Sequence, residues 1–300
     1  SAKMGSTDAL KRGRGLAVAF KNIGFSFGAK ENCHAKIELH GKTEIERVVL
    51  YHAGEELGYG VHTVFKQFAA EALDVPLEKI DTVYSDTAIT GDSGSVSASR
   101  MTFMAGNAIK GAADLALEKW AAEERPAIGD YVYFAPPTSR YAPVTGECYP
   151  NISYGYVSEV VELEVDTESG NVRILKIYCA DDVGKAINPL QVVGQIEGAL
   201  VQAVGYAVLE NFIHKGGYVQ TNLLSNYLIP TVLDIPDEIE SIILEYAEPN
   251  GPYGARGMAE MPYLPLAPAV MHAMYDATGV WFNEFPLTPE RVLRGLGKIK

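Results

Sequence analysis

Cysteine is scarce: Cys33, Cys148 and Cys179 are the only three in 300 residues. They are widely spaced and form no CxxC pair, which argues against a zinc knuckle or an iron–sulfur cluster held by this chain alone. So sparse and odd a count suits a reducing, cytoplasmic setting. Positive charge is also in deficit, with 25 Lys and Arg against 38 Asp and Glu, a net charge of −13. The resulting pI of about 4.9 argues against nucleic acid and anionic membrane surfaces as partners. No apolar stretch is expected to reach the roughly 20 residues that span a bilayer, and no signal peptide is expected. His34, His40, His52, His62, His214 and His272 show no HExxH and no paired ligand spacing, so no protein-ligated metal is expected. A GxSxG elbow is missing, and no serine or cysteine nucleophile has a visible partner base.

What remains is an ordinary globular composition, 47% hydrophobic and 21% charged, with a mean hydropathy of +0.01. A chain of this length can bury roughly 75% of its unfolded surface, enough for a large core in two units. Residues 1–11 read as a flexible lead-in. Ser1–Lys3 could be a remnant ahead of a start at Met4, or the chain could be cut from something longer.

Along the chain one order of elements occurs twice. Alternation over Cys33–Leu39, the turn "HGKT" and "IERVVLYHAG" predict a hairpin. The glycine turn "GEELGYG" leads into a helix with Val61, Val64, Phe65, Phe68, Ala69 and Ala72 on one face. A strand at Ile80–Ser85, the small-residue loop "TGDSGSVSASR" and a helix from about Met101 to Trp120 follow. After a Pro/Gly/Tyr-rich bridge at residues 126–151, two strands about "ESGN", the helix "NPLQVVGQIEGALVQAVGYAV", the strand "ESIILEYA" and a last large helix repeat that order. That helix is expected from Pro268 to Gly279, with Pro268 in the first helical position. The fold class is therefore α+β: two similar subdomains, residues 12–125 and 152–300, each with hairpin strands, a further strand and two packed helices. Equivalent glycine-rich loops in the two halves predict one shared cleft between them.

"GEELGYG" has the spacing G-x-x-x-G-x-G and no surrounding βαβ unit, so a nicotinamide-binding turn is not expected. Its glycines could still bring backbone N–H groups close to a ligand ahead of a helix N-terminus. The same holds for "GDSGSVSASR", with Ser95, Ser97 and Ser99 as hydroxyl donors, and for Gln195 in its small-residue helix. Taken singly, each has a bland alternative as a tight turn, a capping serine or a satisfied glutamine. Together with Glu260, the lone carboxylate of "YGARGMAEMPYLPLAPAV", they suggest a cradle for a large, polar, anionic cofactor.

These same stretches carry a resemblance. "GEELGYGVHT", "TGDSGSVSASR", "DDVGKAINPLQVVGQIEG", "TNLLSNYLIPTVLDIP" and "GARGMAEMPYLPLAPAVMHAMYDATG" resemble, in order, blocks of the molybdenum-hydroxylase family. That family includes xanthine dehydrogenase, aldehyde oxidoreductase and nicotinate dehydrogenase. The resemblance covers about residues 12–296 and falls on the C-terminal half of the molybdopterin-binding subunit. It implies a molybdenum held by the dithiolene of a pterin, as molybdopterin alone or as its cytosine dinucleotide, and not by any side chain. It implies that Glu260 is the catalytic base, taking a proton from a metal-bound hydroxyl that attacks an electron-poor carbon of an N-heteroaromatic ring or aldehyde. By the same resemblance Gly58, Tyr59, Gly60, Ser97, Ala98, Ser99, Arg100, Gln195 and Gly257 bind the cofactor. Tyr59 stands where many members have Gln, Ala259 where Gly is commoner, and Met261 where Pro or Gly is frequent. The partners implied are a chain carrying the other molybdopterin-binding half, a [2Fe–2S] subunit and an FAD subunit. The leading function is thus a molybdenum-dependent oxidoreductase active only with partner chains. A non-catalytic cofactor-binding or scaffold paralogue is the alternative. A hydrolase pairing Glu260 with Asp181 or Asp182 is a poorer fit. Phe20, Phe27, Tyr59 and Tyr263 could line a pocket for a flat ring.

Overall fold

The computed structural model describes residues 8–300. The first half holds β2 (Asn32–Gly41), β3 (Ile45–His52), α1 (Val61–Leu73), β4 (Ile80–Tyr84), α2 (Met101–Ala121) and β5 (Ala127–Phe134). The second holds β6 (Ser153–Asp166), β7 (Val172–Asp182), α3 (Pro189–Val204), a small ribbon of β8 (His214–Lys215) and β9 (Tyr218–Val219), β10 (Glu238–Leu244), α4 (Leu266–Thr278) and α5 (Pro289–Gly295). Ahead of both runs β1 (Leu10–Ile23).

Strict alternation makes the strands. On β2 Cys33, Ala35, Ile37 and Leu39 are buried at every second position, and on β6 Val157, Glu159, Val161, Leu163 and Val165 are. The two main sheets then share one topology, β5-β2-β3-β4 and β1-β6-β7-β10. In each, an antiparallel edge strand joins an antiparallel hairpin, and a helix crosses over to a parallel fourth strand. Each sheet carries its own hydrophobic core. The internal repeat seen in the sequence is therefore a repeat of topology.

The edge strands depart from the sequence reading. β1 pairs along its whole length with β6, so the N-terminal strand completes the second sheet, while β5, inside the expected bridge, completes the first. Glycine explains both choices. A Cβ at Gly13 or Gly15 would run into the α4 backbone at Ala273 and Ala269, and one at Gly129 into α2 at Ala112. Only strands with glycine at these positions allow the helices to lie so close. Of the expected lead-in, residues 1–7 lie outside the described residues, and Leu10 and Lys11 already belong to β1.

Two further differences concern helices. α4 begins at Leu266 rather than Pro268. Pro268 falls within its first turn, where the N–H that proline lacks would have no partner anyway. α3 continues through a π-helical turn, Gly205–Leu209, to make 21 residues apolar enough to cross a membrane, contrary to the expectation that no stretch would be. Its apolarity has a use within the fold: Ile196, Leu200, Ala203 and Val204 enter the second core, while Val192 and Gln195 face the cleft described below.

On its core-facing side the second sheet buries two carboxyls, Glu159 and Asp181. Among the described residues neither Asp181 oxygen nor Glu159 Oε2 has a hydrogen-bond partner. Burial pushes Glu159 up to about 9, against the hydrogen bond from the Cys179 thiol. Burial, with help from the Asp182 charge, pushes Asp181 up to about 8. Both therefore stay protonated in the fold across a range where the unfolded chain, ionising near pH 4, has released its protons. Stability should fall as pH rises from about 4 to about 9, because the unfolded state gains from each proton lost. Glu159→Gln and Asp181→Asn should raise the melting temperature by several degrees at pH 8.5 and by less at pH 5. Thermal unfolding at the two pH values checks this, and equal gains at both would contradict it.

Candidate active site

A cleft of about 570 Å³ lies between the two halves. The first half lines it with the 57–59 turn and the 96–102 segment, the second with the start of α3 and the 256–260 loop. Gly58, Tyr59, Ser97, Ala98, Ser99, Arg100, Gln195, Gly257 and Glu260 all meet there. Gly60 does not reach the wall. It caps α1 at φ 82°, and a Cβ on it would run into the Gln191 side chain. Of the aromatic residues expected around a flat ring, only Tyr59 lines the cleft. Phe20 lies exposed on the far side of β1, Phe27 packs at 5.0 Å on Tyr141, and Tyr263 faces Tyr206.

The glycine turn is held by two histidines. His52 Nδ1 accepts from Gly54 N at 2.8 Å, and His62 Nε2 lies 2.9 Å from Gly54 O. Burial drives His52 down to about 3, so it remains neutral. The backbone N–H groups expected to face a ligand are already taken. Glu56 accepts from Gly58 N at 2.8 Å and Gly60 N at 2.9 Å through Oε1, and from His62 N at 3.3 Å through Oε2. Burial acts to raise the Glu56 carboxyl, but the Gly60, His62 and Gly58 N–H groups prevail and lower it. What the turn offers the cleft is space: a Cβ on Gly58 would meet nothing within 4 Å. The Tyr59 hydroxyl is turned back to Glu55 O at 3.1 Å, leaving its ring on the wall.

The 97–100 stretch is strained. Ala98 and Ser99 sit at φ 52° and 50°, a left-handed conformation that costs roughly 1–3 kcal/mol for each non-glycine residue. Arg100 keeps it there. Its side chain is only 1% exposed, with Nε 2.6 Å from Glu31, Nη1 donating to Ser93 O and Ser95 O, and Nη2 to Asn32 O. Every arm of that guanidinium is spent on the protein, so Arg100 can meet a cofactor only through its backbone.

The Glu260 loop is anchored at its start. Arg256 N donates to Val183 O at 2.9 Å and Lys185 N to Gly254 O at 2.8 Å, while the Arg256 guanidinium pairs with Asp182 and lies 3.4 Å from Glu248. Asp182 is therefore committed to Arg256, and Asp181 is buried within the second half, so neither joins Glu260 as a second carboxylate in the cleft. A Cβ on Gly257 would strike the Ser99 carbonyl, so only glycine lets this loop lie on the strained segment. Ser99 Oγ then donates to Glu260 Oε2 at 2.8 Å. Lys21 Nζ, from β1, lies 3.1 Å from the same oxygen. Both contacts fall on Oε2, leaving Oε1 without a protein partner among the described residues. Met261 is fully buried and does not line the cleft, whereas Ala259 does.

Sequence reasoning missed Lys21, Gln191 and Asn188. Asn188 caps α3 by accepting from Gln191 N at 3.2 Å. Gln191, one turn before Gln195 on the same helix face, has a buried Oε1 with no partner among the described residues. The spacing of Gln191 and Gln195, four residues apart after an Asn-Pro cap, was the available signal.

Two topologically equal α+β halves, a largely apolar cleft at their junction with a few polar groups, and one clamped loop carboxylate on its wall define a binding domain for a large cofactor. The sequence matches the model of the molybdopterin cofactor-binding domain over residues 1–236, and the chain belongs to that family, among the molybdenum hydroxylases. Aldehyde oxidoreductase of Megalodesulfovibrio gigas is 29% identical over 310 residues, covering 97% of this chain and 33% of its own length. The gamma subunit of the 6-hydroxypseudooxynicotine dehydrogenase complex of Paenarthrobacter nicotinovorans is 30% identical over 331 residues, covering 97% and 41%. Among solved structures, the aldehyde oxidoreductase from Desulfovibrio desulfuricans matches with a TM-score of 0.87 at 30% identity, covering 97% of this chain and 33% of that one. The chain thus spans about a third to two fifths of the length of the curated relatives it matches.

Proposed function

We propose that this chain is the part of a molybdenum hydroxylase that holds the molybdopterin and supplies its base, Glu260, for hydroxylating an N-heteroaromatic or aldehyde substrate with a water-derived oxygen. The observation that carries this reading is the placement of Glu260: on the cleft wall, held through Oε2, with Oε1 free of the described residues.

The wall suits the cofactor. Gln191 Oε1 is a buried acceptor awaiting a donor, the space above Gly58 is open, and Ser97, Thr102 and Gln195 add hydrogen-bonding groups. Ser97, Gln195, Gln191, the backbone of Ala98–Arg100 and Gly257 would hold the group, with Tyr59 against it. When bound, molybdopterin supplies the metal that delivers oxygen and accepts the substrate's electrons.

The chain's own residues then do two things. Ser99 and the packed loop keep the carboxylate in one place, which matters because a misplaced base loses rate steeply. Glu260 Oε1 takes up the proton that the attacking oxygen loses, a general-base step worth typically 10²–10⁴ in rate. A chain with the other molybdopterin-binding half, a [2Fe–2S] chain and an FAD chain would complete the substrate pocket and carry electrons away. In support, the Paenarthrobacter relative is itself named as one subunit of a complex. The direct test is to locate molybdenum in crystals of the assembled enzyme.

A further inference from the structure

In the β1–β6 pair, Lys21 stands directly opposite Gly155. Residues opposite one another on antiparallel strands look to the same side of the sheet, and here that side carries the loop of Glu260. The gap left by the missing Gly155 side chain is filled by Met261: a Cβ there would run into its sulfur, and Met261 is fully buried. The residue beside that plug is Glu260. One strand register therefore both seats Met261 and brings the Lys21 ammonium to Glu260 Oε2, at 3.1 Å.

The lysine is unusual in how completely it is used. Its side chain is only 17% exposed. Besides Glu260, Nζ donates to Asn22 O at 2.9 Å and to Asn22 Oδ1 at 3.0 Å. An ammonium has three N–H groups, and three acceptors now surround it. Asn22 is fixed in turn, donating through Nδ2 to Gly24 O at 2.6 Å. Gly24 N donates to Ala98 O at 2.9 Å, one residue before Ser99, the other holder of Glu260. The end of β1, the strained 98–99 pair and the Glu260 turn thus form a closed ring of contacts.

We propose that Lys21 is a positioning residue for Glu260, gripping Oε2 together with Ser99 so that Oε1 is the oxygen turned to the reacting group. This rests on the reading of Glu260 as base. Lys21→Met in the assembled enzyme should lower kcat by roughly 10–100-fold, the scale of an ångström-sized misplacement. KM should change less than twofold, and molybdenum and pterin content should stay at the wild-type level. Lys21→Arg, which keeps a cation in reach of the carboxylate, should recover most of the rate.

A second readout needs no turnover. In the full chain labelled with ¹³C at glutamate side-chain carboxyls, the resonance lost in Glu260→Gln belongs to Glu260. It should move in Lys21→Met and return toward its wild-type position in Lys21→Arg. A resonance unmoved by Lys21→Met overturns the clamp whatever the kinetics show. Wild-type kcat in Lys21→Met beside a crippled Glu260→Gln overturns the proposal while leaving the base assignment intact. Full activity in Glu260→Gln removes the base assignment itself, and the positioning role of Lys21 falls with it.

Discussion

Glu260→Gln should leave molybdenum and pterin content of the assembled enzyme near normal while hydroxylation falls by roughly 10²–10⁴-fold or more. Glutamine keeps the size of the side chain and an oxygen that can still accept from Ser99 Oγ and Lys21 Nζ. It loses only the ability to take up a proton. A structural glutamate would behave differently, since its loss would release the loop and with it the cofactor. Steady-state turnover and metal analysis on one preparation separate the cases. Undiminished turnover removes Glu260 from the chemistry, and joint loss of metal and activity makes it a support for the cofactor.

Arg100→Met should be the most damaging single change to the fold among those considered. It strands Glu31, whose side chain is 5% exposed, as a buried charge without its cation. Breaking such a pair from one side typically costs about 3–5 kcal/mol. For a domain of this size that is a fall in melting temperature on the order of 10 °C. The carbonyls of Ser93, Ser95 and Asn32 lose their donor at the same time, so the 97–100 stretch should slacken and cofactor retention should drop. Thermal unfolding and pterin content measured together check both consequences. A stable variant with full cofactor would show that the guanidinium is not what holds the strained loop.

The contrast between Glu260 and Arg100 shows what the sequence could reveal. Glu260 was legible because a lone carboxylate in a run of small residues ahead of a helix is a local pattern, and the repeat of hairpin, helix, strand and helix placed its loop at a junction. Arg100 was equally visible as a residue, but not the direction of its side chain, which depends on Glu31 and the 93–95 carbonyls. Glu56 is a similar case. A glycine turn promises open N–H groups, and nothing in "GEELGYG" says that its own glutamate will occupy them. Lys21 was out of reach because it meets Glu260 through strand register across 239 positions of sequence. The pairing of β1 with β6 was hidden for the same reason. Local alternation makes a strand but does not name its neighbour, and the glycines that admit α4 beside β1 gain their meaning only once the helix is in place.

Anomalous scattering at the molybdenum edge, from crystals of the assembled enzyme, tests the central claim most directly. The expected result is one molybdenum peak inside the cleft between the halves, on the side of the wall formed by Gln195 and Glu260. A peak elsewhere, or a cleft filled by protein from a partner chain with Glu260 turned to solvent, contradicts it.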